Sequence, residues 1–122
     1  MSRKRDLPDR TEAFALEIVR LCQMLEGIGG VGRTLGWQLI RSGTSIGANV
    51  AEGEGAQSEA DFLTKYSIAV KESHETGYWL KLLKKADILP PEQFDVLIKE
   101  CSELTAILTT ICKKLKMKKQ SV

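Results

Sequence analysis

The sequence lacks the features that mark a membrane or secreted protein. None of its apolar runs approaches the roughly 18 residues that a membrane-spanning helix needs. Its first residues, Met-Ser-Arg-Lys-Arg-Asp-Leu-Pro, contain no apolar core of a signal peptide. Hydrophobic residues make up 43% and charged residues 28% of the 122 positions, which is typical of a folded globular domain. We therefore expect one cytoplasmic domain.

Cysteine and histidine are too sparse for the common disulfide frameworks and metal sites. The three cysteines, Cys22, Cys101 and Cys112, form no Cys-x-x-Cys pair, and this odd number favours buried core residues over disulfides. A di-iron bundle needs two Glu-x-x-His pairs, but Lys71 stands three residues before His74, which is the one histidine. No serine or cysteine is placed by sequence as a nucleophile beside it. We predict no catalytic residue, no metal and no cofactor.

The segment Gly27-Ile-Gly-Gly-Val-Gly32 matches the pattern Gly-x-Gly-x-x-Gly, and Glu52 follows its last glycine by twenty residues. A dinucleotide site needs a strand before the glycines, because the turn from strand to helix directs backbone amides at the pyrophosphate. The preceding residues have helical periodicity instead. We interpret the segment as a flexible connection between two helices.

Apolar residues at helical spacing predict four helices and no strand. The first helix is expected to begin near Asp9, with Glu12 completing a capping box, and to end at Gly27. The second is expected from about Thr34 to Glu54.

The third helix follows a capping box formed by Ser58 and Asp61, and Pro91 suits the first position of the fourth. The fourth helix has one apolar stripe, made of Phe94, Leu97, Ile98, Cys101, Leu104, Leu108, Ile111, Cys112 and Leu115. Short connections predict an all-α, antiparallel up-down four-helix bundle. It would form one domain over residues 1–122, with a core at about 9–116 and basic tails at both ends.

Small side chains dominate the segment 41–55 of the second helix. Gly43, Gly47, Ala51 and Gly55 recur at four-residue spacing, which predicts a ridge where another helix approaches closely. Asn49 and Glu52 lie beside that ridge, three residues apart. They could bond each other or neighbouring backbone groups, and we interpret them as fixing the helix register rather than binding a substrate.

The third helix is apolar on more than one side. Its residues Phe62, Leu63, Tyr66, Ile68, Ala69, Val70, Tyr78, Trp79 and Leu80 exceed one stripe. Because no helix of a single-layer bundle is fully central, we interpret the excess as a subunit contact; a wide core face is the alternative, and the pattern alone fits both equally.

The run Ser45-Ile-Gly-Ala-Asn-Val-Ala-Glu-Gly53, with Gln38–Ser42 before it and Glu75-Thr-Gly-Tyr-Trp-Leu80 after it, resembles the proteins encoded within 23S rRNA intervening sequences. The resemblance spans roughly residues 11 to 115. It implies a helical bundle, commonly a homopentamer, with Ser45, Gly47, Asn49, Glu52 and Gly53 as a structural motif. A related branch is the accessory variability protein of diversity-generating retroelements, which works with a reverse transcriptase and nucleic acid.

Basic charge is concentrated at the two ends of the chain. Residues 1–10 carry four basic and two acidic side chains, and residues 111–122 carry five lysines and no acid, so the intervening residues sum to minus five. Clustered lysines attract phosphates without sequence preference. We therefore expect a homo-oligomeric, non-enzymatic scaffold that binds RNA or DNA; the alternative is an adaptor that docks a partner enzyme. The candidate phosphate contacts are Arg3, Lys4, Arg5, Arg10, Arg33, Arg41, Lys113, Lys114, Lys116, Lys118 and Lys119.

Overall fold

The protein is a four-helix bundle. A computed structural model describes the backbone of residues 3–120 and the side chains of residues 7–118. The helices are α1 (Arg3–Ile28), α2 (Gly30–Glu54), α3 (Glu59–Lys85) and α4 (Glu92–Gln120). The described backbone contains no strand, which confirms the prediction of an all-helical fold. None of these helices has the combined length and apolar character needed to cross a membrane.

Each helix packs against its neighbours in sequence, and α1 also contacts α4, so the four enclose one core. The contact between α1 and α4 is the least extensive of the four. The stripe predicted for α4 is confirmed, because all of its residues are buried or half-buried. The three cysteines are free and buried, as predicted.

The first helix begins earlier than the sequence predicted. It starts at Arg3 instead of near Asp9 and includes Pro8. Leu7 is fully buried. Burial of this apolar side chain stabilises a helix that begins before it in the sequence. Pro8 lies close to the helix start and removes a single backbone donor there. The hydroxyl of Thr11 donates to the carbonyl oxygen of Leu7 at 2.7 Å.

The glycine-rich connection is much shorter than predicted. Only Gly29 separates α1 from α2, which begins at Gly30 rather than near Thr34. Gly29 and Gly30 have φ values of 78° and 56°, a region that residues with a side chain rarely adopt. The remaining glycines of this segment are helical, so it is a tight turn and not a flexible linker. As predicted, a helix and not a strand precedes it.

Glycines of α2 pack closely against α1 along a seam, but only two of the four residues predicted for this ridge belong to it. A Cβ placed on Gly43 would lie 2.8 Å from Cγ2 of Ile18, and one placed on Gly47 would lie 3.2 Å from the carbonyl oxygen of Thr11. The seam continues toward the helix start through Gly36, which packs on Leu25. The other two predicted members do not take part, because Ala51 is exposed and Gly55 lies beyond the end of α2.

The third helix divides its apolar residues between the core and the surface. Its N-cap is as predicted, with the backbone N–H of Asp61 donating to Oγ of Ser58 at 3.0 Å. Tyr66 and Leu80 are fully buried, whereas Tyr78 is 59% exposed and Ile68 is 37% exposed. Part of the apolar excess therefore faces away from the core of this chain.

Candidate nucleic-acid interface

The two basic segments of the chain lie at the same end of the bundle. The early part of α1 meets the late part of α2 at Thr11 and Gly47. The end of α2 meets α3 where Gly53 packs on Tyr66. The end of α4 returns to the start of α3, where Nζ of Lys118 lies 3.3 Å from Oε1 of Glu59. We call this the terminal end of the bundle.

Three C-terminal lysines remain available for a ligand at this terminal end. Lys113, Lys114 and Lys116 are exposed, and no described side chain forms an ion pair with any of them. Lys118 is already engaged with Glu59. The other four terminal candidates, Arg3, Lys4, Arg5 and Lys119, have side chains outside the described residues.

Arg10, in contrast, is a link between α1 and α4. Its guanidinium donates from Nε and Nη2 to the two carboxylate oxygens of Glu100, at 2.9 and 2.7 Å, and from Nη2 to Glu103 at 3.1 Å. Hydrogen bonding and charge attraction from these carboxylates raise the pKa of Arg10 above its ordinary value. A phosphate would have to displace two acids to reach this arginine.

Arg33 and Arg41 lie away from the terminal end and are also paired. Arg33 contacts Glu26 at 3.1 Å, close to the turn between α1 and α2. Arg41, midway along α2, contacts Glu72 at 3.6 Å and also bonds Glu75, both on α3. The fold therefore does not bring these two arginines together with the terminal lysines.

The residues of the resemblance motif contribute packing and helix-to-helix contacts. Nδ2 of Asn49 donates to the carbonyl oxygen of Ser45 at 2.8 Å, within α2. Glu52 is exposed and accepts from Nζ of Lys65 on α3 at 3.0 Å, which raises the pKa of that lysine. Of the two partners considered for Asn49, a neighbouring backbone group is the one observed. Gly47 and Gly53 occupy the close contacts with α1 and α3.

A hollow of about 590 Å³ opens at the terminal end between α3 and α4. Its apolar lining includes Phe62 and Tyr66, whose rings stack with centroids 4.0 Å apart. The hydroxyl of Tyr66 donates to Glu54 at 2.7 Å. Burial, and secondarily this bond, raise the pKa of Tyr66. Two acids, Glu54 and Glu59, and two lysines, Lys114 and Lys118, line the hollow, so its formal charges cancel and it is not a dedicated phosphate site.

The buried thiols are not set up as nucleophiles. Burial raises the pKa of Cys22 to about 11 and that of Cys101 to about 11, which keeps them protonated at neutral pH. Sγ of Cys22 donates to the carbonyl oxygen of Gly36, and Sγ of Cys101 to that of Ser73. Among the described side chains, no group of three His, Cys, Asp or Glu residues is arranged to hold a metal ion.

A second group of lysines, not among the predicted phosphate contacts, lies on α3. Lys71, Lys81 and Lys85 are exposed, and none has an ion-pair partner among the described side chains. Together with His74 and Tyr78 they recur at intervals of three and four residues, which places them along one face of the helix. The spacing of these residues is visible in the sequence, but the acidic residues between them obscure the positive charge of this helix face.

A family model described as 23S rRNA-intervening sequence protein matches residues 4–110. Among solved structures, the chain is similar to a protein with unknown function from the S23 ribosomal protein family of Bacteroides thetaiotaomicron VPI-5482, whose crystal structure has 1.70 Å resolution. The two are 39% identical over 92% of this chain and 99% of that one, with a TM-score of 0.83. No curated protein matches the sequence.

Proposed function

The chain belongs to the 23S rRNA-intervening sequence protein family, and we propose that it is a non-enzymatic, homo-oligomeric scaffold that binds RNA or DNA through basic residues near its termini. We place it in the cytoplasm, as one domain over residues 1–122. Its helices would run antiparallel in up-down order. Thr11, Ile18 and Leu25 of α1 contact α2 at Gly47, Gly43 and Gly36, respectively. Residue numbers therefore increase along α1 where they decrease along α2, which supports that order.

The observation that carries the proposal is that Lys113, Lys114 and Lys116 are exposed and have no ion-pair partner among the described side chains, at the terminal end of the bundle. An unpaired lysine binds a phosphate by releasing counterions, with no loss of an existing ion pair. Arg10, Arg33 and Arg41 would each give up contacts to carboxylates, so we rank them below these three lysines. Lys118 ranks with the arginines because it contacts Glu59.

Assembly would multiply this modest basic surface. A pentamer, which the family resemblance implies, would present five copies of it, and linked sites bind more tightly than one alone. Exposed apolar side chains support a subunit contact. Trp37 is 63% exposed, Val31 is 68% exposed and Val96 is 76% exposed, and a second subunit would cover such side chains.

The same exposed side chains support the alternative, a protein-interaction adaptor. Trp37 would serve as an aromatic anchor, since tryptophan is enriched among residues that dominate binding energy. The partner would be an enzyme such as a reverse transcriptase, by likeness to the retroelement branch. The two functions differ in which residues they need.

The experiment is a binding titration of labelled RNA and DNA, combined with light scattering and the ultraviolet absorbance ratio. The scaffold predicts an oligomer whose nucleic-acid affinity falls steeply between about 50 and 200 mM salt. The variant Lys113→Ala/Lys114→Ala/Lys116→Ala should bind weakly. Its control, Lys65→Ala/Lys84→Ala/Lys99→Ala, removes the same charge at other positions, and two of its lysines are ion-paired in the structure.

Equal loss in both triple variants would mean that only net charge matters and would reject the terminal site. Unmeasurable binding by the wild-type chain would reject the scaffold itself. A chain that binds no nucleic acid but retains a protein partner, and loses it on Trp37→Ala, would establish the adaptor instead.

A further inference from the structure

The groove between α3 and α4 is open to solvent and has a cationic, aromatic lining. It encloses about 470 Å³. From α3 it is lined by His74, Tyr78 and Lys81, and from α4 by Ser102 and Thr105, with no aspartate or glutamate among its lining residues. This is unexpected in a chain whose central residues 11–110 carry net negative charge.

The absence of acids from the groove follows from how the neighbouring helices engage them. On α3, Glu72 and Glu75 face α2, where both contact Arg41. On α4, Glu100 and Glu103 face α1, where both bond Arg10. These four glutamates therefore point away from the groove, and the acids that do pair across α3 and α4, Asp95 and Glu59, lie beyond its lining. Arg10 and Arg41, two of the predicted phosphate contacts, instead pair with acids that would repel a phosphate.

The basic side chains extend the groove along both helices. On α3, Lys71 lies seven residues before Tyr78 and Lys85 lies seven after it, so the stripe covers about 21 Å at 1.5 Å per residue. On α4, Lys116 lies eleven residues after Thr105, which is about three helical turns and places the two residues on one face. The lining of the groove itself ends at Ala106, and Lys116 lies on the same face of α4 nearer the terminal end.

Tyr78 supplies an exposed ring in the middle of this stripe. It is 59% exposed, and its ring meets that of Trp79 edge-on with centroids 5.0 Å apart. Trp79 is itself fixed, because its Nε1 donates to Glu75 at 3.0 Å. A supported, exposed aromatic ring between lysines is the arrangement on which unpaired bases stack in single-strand binding proteins.

We propose that the groove between α3 and α4 binds single-stranded nucleic acid, with Lys71 and Lys81 contacting phosphates and Tyr78 stacking on a base. This inference rests on the proposed scaffold function and adds to it both the class of ligand and a path across the bundle. A duplex keeps its bases stacked on each other, so the ring of Tyr78 favours a single strand. Positive charge without carboxylates would attract an acid-rich protein surface as well as a nucleic acid. The stacking contact of Tyr78 is what favours a single strand, and the test isolates that contact.

The test is a fluorescence anisotropy titration with labelled oligothymidylate and oligouridylate, with the corresponding duplexes as competitors. Tyr78→Ala should weaken single-strand binding about tenfold, whereas Tyr78→Phe, which keeps a ring, should bind as the wild type does. Lys71→Ala/Lys81→Ala should lower the salt slope by about 1.4, because each phosphate contact contributes about 0.7 on a single strand. The control Lys65→Ala/Lys84→Ala changes the charge of the same helix equally at lysines that are ion-paired, and it should leave the slope nearly unchanged.

Any one of five results would overturn the inference. Wild-type affinity in Tyr78→Ala would exclude stacking, and equal effects of the two double-lysine variants would exclude a defined path. A smaller oligomer for Lys71→Ala/Lys81→Ala in light scattering would show that the groove contacts a second copy of the chain. If the C-terminal lysine variant alone loses binding, the groove fails while the scaffold function stands; if the wild type binds nothing, both fail.

Discussion

Gly53 of α2 lies directly against the ring of Tyr66 of α3, where a Cβ on the glycine would stand 2.6 Å from Cε1 of the tyrosine. The ring has little freedom to yield, because it is 1% exposed and its hydroxyl is bonded to Glu54. The last glycine of the nine-residue motif is therefore a packing requirement of the α2–α3 contact.

We expect Gly53→Ala to destabilise the protein by about 1 to 3 kcal/mol through overpacking, despite the better helix propensity of alanine. Urea unfolding followed by circular dichroism measures the change. The matched control is Gly27→Ala, where a Cβ meets nothing within 4 Å and where the substitution should stabilise by up to about 1 kcal/mol. Stabilisation by both substitutions would contradict this account of Gly53.

Thr76 and Ser42 form a polar contact inside the core. Both residues are fully buried, and their hydroxyl oxygens are 3.0 Å apart. Thr76→Val would leave the hydroxyl of Ser42 with only a weak contact to the carbonyl oxygen of Leu39 at 3.4 Å. We expect a loss of about 1 to 3 kcal/mol in unfolding free energy.

The second step of this prediction is the double variant Thr76→Val/Ser42→Ala. Removing both hydroxyls leaves no unsatisfied donor, so it should be more stable than Thr76→Val alone. Additive losses in the double-mutant cycle would mean that the two hydroxyls act independently.

Arg10 illustrates why the candidate site was harder to predict than the fold. The sequence identifies it as a basic residue near the N-terminus, but its partners Glu100 and Glu103 lie 90 and 93 residues away. The same holds for Arg41, whose partner Glu75 is 34 residues away. Charge segregation along a sequence does not reveal which charges are neutralised across helices.

The fold, in contrast, could be predicted from local patterns in those helices that have a single apolar face. The stripe of α4 and the cap at Ser58 were predicted because helical period and capping are encoded within a few residues. The start of α1 was missed because the burial of Leu7 depends on helices that come later in the chain. The turn at Gly29 was missed because six residues containing four glycines do not show which of them take positive φ.

The Arg10 ion pairs predict that replacing this arginine lowers the stability of the protein without changing its affinity for nucleic acid. Arg10→Ala should lower the unfolding free energy by about 1 kcal/mol, because a bidentate arginine pair contributes more than an ordinary surface pair. It should leave nucleic-acid affinity nearly unchanged, since two carboxylates already occupy the guanidinium. Arg20→Ala is the control, because among the described side chains Arg20 pairs with Glu17 alone, within α1, and its removal should be nearly neutral. A clear drop in affinity for Arg10→Ala with unchanged stability would assign this arginine to the ligand.

The buried thiols predict a loss of stability at alkaline pH. Cys22 and Cys101 have pKa values raised from 9.0 to about 11 by burial. Below pH 9 both the folded and unfolded chains keep these protons, so the thiols add no pH dependence. Between about 9 and 11 the unfolded chain loses them first, which favours unfolding by at most about 2.7 kcal/mol for each thiol.

The melting temperature should therefore fall more steeply across this window in the wild type than in Cys22→Ala/Cys101→Ala. The comparison must use the slope against pH rather than the absolute value, because alanine leaves small cavities that lower stability at every pH. Tyr66, whose pKa is also raised, is present in both proteins and adds the same decline to each. Parallel slopes would show that the thiols ionise as readily in the folded protein as in the unfolded chain. Water would then reach Cys22 between α1 and α2 and Cys101 between α3 and α4.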